Sequence, residues 1–161
     1  MPLVDPGRKA PLFTLPDQDG EKHALRDFEG RTVVLYFYPK DDTSGCTKQA
    51  CQFRDSLPAF DELDAVVLGV SPDDQASHRK FADKHGLPFT LLADAKRNAD
   101  DDPTVCAKYG VWQEKSMYGR RYMGVVRTTY VIAPDRTVVR RFDKVKVPGH
   151  VADVLDAVRA L

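Results

Sequence analysis

Val33-Val34-Leu35-Tyr36-Phe37-Tyr38-Pro39 is the stretch on which the fold turns. Six consecutive β-branched, aliphatic and aromatic residues leave no polar face, the pattern of a strand buried on both sides. Pro39 has no amide N–H to give a ladder and stops it. After a loop at 39–45, Ala50, Phe53, Leu57 and Phe60 recur at intervals of three, four and three. That spacing predicts an amphipathic helix. Thr43 or Ser44 is expected to cap its N-terminus, and Pro58 to kink or end it.

Downstream, Ala65-Val66-Val67-Leu68-Gly69-Val70 predicts a second buried strand, and Ser71-Pro72-Asp73-Asp74 starts a helix through about His85. Gly86-Leu87-Pro88 leads into a short strand at 89–92. The polar, acid-rich segment 95–102 reads as an exposed loop, and 103–109 as a short helix carrying Cys106. Strands at 125–133 and 137–142 flank the turn Pro134-Asp135-Arg136. A last helix begins near His150, with Val151, Val154, Leu155, Val158 and Leu161 on one face. Upstream, 11–25 predicts a hairpin around Asp17-Gln18-Asp19-Gly20. Strands alternating with helices imply an α/β protein: a three-layer sandwich around a central mixed sheet, with an N-terminal β-hairpin. Repeats, low-complexity tracts and linkers are not evident, so 1–161 is expected to be one domain.

Lysine plus arginine equals aspartate plus glutamate at 24 each, which does not suggest a binder of nucleic acid or anionic membranes. Met1-Pro2-Leu3-Val4-Asp5-Pro6-Gly7 has neither the basic nor the apolar region of a signal peptide, and apolar runs are only strand-sized. The expected location is the cytoplasm.

Chemistry is signalled by cysteine. In a reducing compartment disulfides are mostly transient and catalytic or redox-sensing, although a free cysteine is more commonly a small core hydrophobe and the spacing alone favours packing. Cys46 falls in the first turn of the predicted helix, where free N–H groups and the positive end of the helix dipole favour a thiolate, the nucleophilic form. Gly45 allows close approach of a reactant to the backbone. Cys51 is five residues on. In an intact helix the two Cα atoms lie about 8.6 Å apart with side chains roughly 140° apart, beyond the reach of a disulfide. Any bridge between them requires the first turns to unwind. Four scattered histidines and no second cysteine pair argue against a metal site.

The stretch Phe37-Tyr38-Pro39-Lys40-Asp41-Asp42-Thr43-Ser44-Gly45-Cys46-Thr47-Lys48-Gln49-Ala50-Cys51 closely resembles the active-site segment of peroxiredoxins of the bacterioferritin-comigratory or Q-type subfamily. Pro39, Thr43 and Cys46 match its proline, threonine and peroxidatic cysteine. The likeness extends to Ala10–Phe13, Gly69–Asp73, Tyr109–Trp112 and Arg127–Ile132. It implies a thioredoxin-like fold and an antioxidant, thioredoxin-dependent peroxidase that needs no metal, haem or other cofactor. Cys46 would attack hydrogen peroxide or an organic hydroperoxide. Thr43, Gly45 and Arg127 would bind the peroxide, with Arg127 also stabilising the thiolate. Pro39 would shield the thiolate, and Cys51 would resolve the sulfenic acid as a disulfide for thioredoxin to reduce. The resemblance also favours a monomer.

Three departures stand out. Ser44 replaces a common proline, and Gln49 replaces a usual glutamate that orients the arginine. An apparent insertion at Arg97–Asp102 precedes Cys106. The resemblance also implies a resolving cysteine in that later helix for some family members, so Cys106 is the alternative resolving cysteine. A redox sensor with little turnover is the alternative function; a thiol–disulfide oxidoreductase is disfavoured by the absence of C-x-x-C.

Overall fold

Alternate residues of a strand face opposite sides of a sheet, and the stretch at 33–38 divides accordingly. Val33, Leu35 and Phe37 enter one hydrophobic cluster; Val34, Tyr36 and Tyr38 enter another. The computed structural model, which describes residues 2–161, makes this stretch β3 (Thr32–Phe37), buried at every position. Met1 of the 1–161 unit lies outside the described residues.

Before it come β1 (Thr14–Pro16) and β2 (Lys22–Ala24), the expected antiparallel hairpin. After it come α1 (Ser44–Glu62), β4 (Ala65–Ser71), α2 (Gln75–His85), β5 (Thr90–Ala93) and α3 (Thr104–Lys108). The chain continues through β6 (Trp112–Met117), β7 (Arg120–Val125), β8 (Thr128–Ile132), β9 (Val138–Phe142) and α4 (His150–Arg159). The central sheet runs β5-β4-β3-β8-β9. β3 is parallel to β4 and antiparallel to β8, so the sheet is mixed. Phe53 and Phe60 of α1, Phe81 and Ala82 of α2, and Val151, Val154 and Val158 of α4 cover one face. Phe13 and Leu15 of the N-terminal hairpin region, Val105 and Cys106 of α3, and Val111 cover the other. The result is the expected three-layer α/β sandwich.

Three local expectations are corrected, and a fourth is placed: α1 runs past Pro58 and ends about one turn later, at Glu62. Proline deprives the carbonyl four residues earlier of its donor, but Pro58 is exposed, and fully buried Phe60 anchors the final turn. Thr43 holds the N-cap position of α1 without a capping bond, its hydroxyl turned to the Lys40 carbonyl instead. The strand predicted at 125–133 is divided: Val125 ends β7, Val126 and Arg127 form a link, and β8 starts at Thr128. Leu161, assigned to the apolar face of the last helix, lies beyond α4 and is exposed.

The β6–β7 hairpin is an element the sequence reading lacks. Its turn, Tyr118-Gly119, has positive φ at both residues (53° and 78°), as a tight two-residue hairpin loop requires. Glycine also matters at Gly69, where an added Cβ would sit 2.9 Å from the Tyr36 ring.

His150, at the start of α4, is buried between Phe53 and Phe142, with its Nε2 2.9 Å from the Thr129 hydroxyl. Burial lowers its pKa from 6.5 to about 4. Below pH 6.5 the unfolded chain takes up a proton that the folded chain refuses until about pH 4. Stability present above pH 6.5 is therefore lost as pH falls, by about 2 kcal/mol between pH 7 and pH 5. Urea midpoints of the wild type should drop over that range, and His150→Gln should flatten the slope. Equal slopes would rule out this contribution.

Candidate active site

The β3–α1 loop delivers Cys46 to the third helical position of α1, where its side chain is 2 % exposed. Because Thr43 does not cap the helix, its hydroxyl leaves the first-turn N–H groups unclaimed. Those groups and the helix dipole direct positive potential at the sulfur. Thr43 donates its hydroxyl proton to the Lys40 carbonyl at 2.9 Å, so its oxygen lone pairs are free to accept a bond from an O–H group.

Arg127, on the β7–β8 link, closes the other side. Its Nη2 donates to Cys46 Sγ at 3.3 Å and its Nη1 to Gln49 Oε1 at 2.5 Å. Residues 46 and 49 are one helical turn apart, so a single planar guanidinium spans both. Gly45 lies beneath it, where a Cβ would meet Nη2 at 3.2 Å. Gln49 is fully buried, and its Nε2 has no partner among the described residues. Glutamine thus keeps the positioning contact, while Arg127 takes part in no ion pair with a carboxylate among those residues.

A cavity of about 490 Å³ opens beside the site, lined by Pro39, Gln113, Glu114, Lys115, Val126, Arg127, Lys144 and Val145. Lys115 has its pKa lowered by partial burial and by Arg127, while the charge on Cys46 acts to raise it. The β6–β7 hairpin therefore contributes to the rim, and sequence reading missed that contribution. Its only local signal is the Tyr118-Gly119 turn, because mostly exposed strands carry little apolar alternation.

The structure brings Pro39, Gly45, Cys46 and Arg127 together and sets Thr43 at the same helix start. Cys51 is half-buried on the unbroken α1, and all three cysteines are free. Cys106 is elsewhere: it belongs to the cluster on the opposite face of the sheet from Cys46. It is fully buried, with its thiol pKa pushed well up by burial and then by Asp94. Asp94 accepts the amides of Val105 and Cys106, fixing the start of α3. Trp112 bonds Asp102 at 2.9 Å, and Arg97 lies over its ring, which ties down the 97–102 segment. Two groups of side chains have metal-ligand proximity, Asp17–Glu21–His23 and Asp41–Asp73–His78; in each, the histidine already pairs with an aspartate at 2.7 Å.

A buried thiol at a helix N-terminus, paired with an arginine that itself lines a small cavity, marks a thiol-based redox site. The AhpC/TSA family profile matches residues 6–141, and the chain belongs to that family. Peroxiredoxin Bcp of Bacillus subtilis is 45% identical over 156 residues, 97% of this chain and 96% of that protein. Peroxiredoxin Bcp of Escherichia coli K12 is 44% identical over 144 residues, 89% and 88% of the two chains. Among solved structures, a Xylella fastidiosa PrxQ mutant superposes with a TM-score of 0.89 at 34% identity, covering 98% of this chain and 96% of that one. Xanthomonas campestris bacterioferritin comigratory protein, solved as trapped intermediate and ligand complexes and described for alkyl peroxide reduction, gives 0.84 at 39% identity, covering 92% and 90%. The thioredoxin-like fold and the Bcp/PrxQ kinship are thereby established.

Proposed function

We propose that this peroxiredoxin reduces hydrogen peroxide and organic hydroperoxides through Cys46, resolves the product with Cys51, and is recycled by thioredoxin. The Arg127–Cys46 contact at 3.3 Å carries the reading. Arg127 holds a positive charge against the sulfur and leaves the helix N–H groups for the peroxide oxygens. The thiolate attacks the terminal peroxide oxygen, and the O–O bond breaks. An alkoxide or hydroxide leaves and takes a proton, and Cys46 becomes a sulfenic acid. Arg127 and the N–H groups stabilise charge developing on the oxygens. Thr43 accepts the O–H of the peroxide and orients it, while Pro39 shields the sulfur from one side of the cavity. The alkyl peroxide reduction described for the Xanthomonas protein supports the substrate class. Relatives named as peroxiredoxins support turnover over a sensor role.

The Cys51 thiol then condenses with the sulfenic acid, releasing water and forming the disulfide. With α1 intact, the two Cα atoms are about 8.6 Å apart, so the first turns of α1 unwind for this step. Burial of Cys106 on the far face of the sheet supports Cys51 as the resolver. A dithiol reductant fits a reducing, cytoplasmic setting, where residues 1–161 act as one monomeric domain. Among the described residues no helix is long and apolar enough to cross a membrane.

Wild type with thioredoxin, thioredoxin reductase and NADPH should consume peroxide in repeated turnovers, and Cys106→Ser should keep pace within about twofold. Cys51→Ser should stop after one turnover at a sulfenic acid, read by intact mass. A Cys106→Ser variant that stalls while Cys51→Ser turns over would reassign the resolver.

A further inference from the structure

The loop before Cys46 is stapled to α2 by two successive aspartates. Asp41 is buried, and its carboxylate accepts from the Tyr38 hydroxyl at 2.5 Å and the Ser77 hydroxyl at 2.7 Å. The same carboxylate lies 2.7 Å from Nδ1 of His78, which is also buried. His78 Nε2 sits 2.9 Å from the Leu92 carbonyl, which can only accept, so that nitrogen carries a proton. The short Nδ1 contact to Asp41 then requires a second proton between ring and carboxylate. The Asp41 amide donates to Asp73 at 2.8 Å. On the outside, Asp42, at φ 59°, binds Lys84 Nζ at 2.7 Å and His85 Nε2 at 2.9 Å. Phe81 and Ala82 fix α2 itself in the core, which makes it a rigid support for both staples.

The position of these staples is informative. They end at residue 42, and α1 begins at Ser44 with an uncapped N-terminus. We infer that Asp41 and His78, assisted by Asp42 with Lys84 and His85, are positioning residues that hold the N-terminal end of the Cys46 segment and so limit how readily residues 43–50 unwind. Pro39 to Asp42 stay in place during that opening. The consequence for catalysis rests on the peroxidase reading. A fixed loop keeps Pro39 aligned for attack but slows delivery of Cys46 to Cys51. A longer-lived sulfenic acid has more time to meet a second hydroperoxide, which oxidises it to the sulfinic acid and leaves as water or alcohol.

Amide exchange on the reduced protein tests the anchor without relying on peroxide chemistry. Asp41→Ala should speed exchange across 43–50 by at least about tenfold and leave β3 and β4 unchanged, whereas Asp41→Asn, which can still bond His78 and Tyr38, should stay within about threefold of wild type. With peroxide, Asp41→Ala should form the disulfide faster and give less sulfinic acid per turnover. Lys84→Ala/His85→Ala, on the exposed side, should move both readouts in the same direction by less, and it serves if Asp41→Ala does not fold. Unchanged exchange at 43–50 in Asp41→Ala, or in the double variant if that protein is used, overturns the inference. Faster exchange with Cys46 inert to peroxide would leave the anchor standing and overturn the peroxidase reading instead.

Discussion

Cys46→Ser should lose all reaction with hydrogen peroxide while keeping the wild-type fold. A serine hydroxyl at this position stays protonated near neutral pH, and the helix dipole and Arg127 together supply far too little stabilisation to ionise it. The remaining thiols do not substitute. Cys106 is enclosed in the core with its thiol pKa raised by burial and Asp94. Cys51 lies beyond the first turn of α1, away from the Arg127 contact that Cys46 makes. Stopped-flow mixing with peroxide, followed by mass, should therefore show an unmodified protein. The variant should melt close to wild type, because one small buried side chain replaces another of similar shape.

Arg127→Ala is expected to slow the same reaction by about 10²–10³-fold, the usual cost of removing a preorganised donor from developing negative charge. The loss has two parts. The thiolate loses its 3.3 Å donor, and Gln49 Oε1 loses its partner in a fully buried position. Arg127→Lys should recover only part of the rate. A lysine offers one compact ammonium and cannot span Gln49 and Cys46 with two coplanar donors. A rate within about threefold of wild type for Arg127→Ala would mean that the helix N-terminus alone activates Cys46.

The β-rich centre of the fold was readable because burial leaves a mark on sequence. β3 has no polar residue to face water, and α1 repeats its apolar residues with the period of a helix. The β6–β7 hairpin left no such mark: its strands are largely exposed and carry Gln113, Glu114, Lys115, Arg120 and Arg121. Pro58 marked the end of α1 only to within a turn, because it is exposed and fully buried Phe60 holds the last turn against the core. Arg127 was located by resemblance to known active sites, since pattern alone would have turned it toward solvent on a strand.

Within the site, Cys46 and Gly45 were legible from their place at a helix start. Contacts between distant residues were not. Arg127 reaches Cys46 across 81 positions, and His78 reaches Asp41 across 37. The histidines that looked scattered include two held against aspartates at 2.7 Å. That Cys106 and Cys46 lie on opposite faces of the sheet was equally hidden, because only the packed sheet reveals it.

In the proposed function Cys46 is the peroxide-attacking thiolate and Cys51 its resolving partner. Intact mass and free-thiol count, taken within seconds of adding one equivalent of hydrogen peroxide to the reduced protein, test it most directly. Two thiols and two hydrogens in mass should be lost, with peptide mapping linking Cys46 to Cys51 and Cys106 still free. A Cys46 that remains reduced for many minutes would contradict that function.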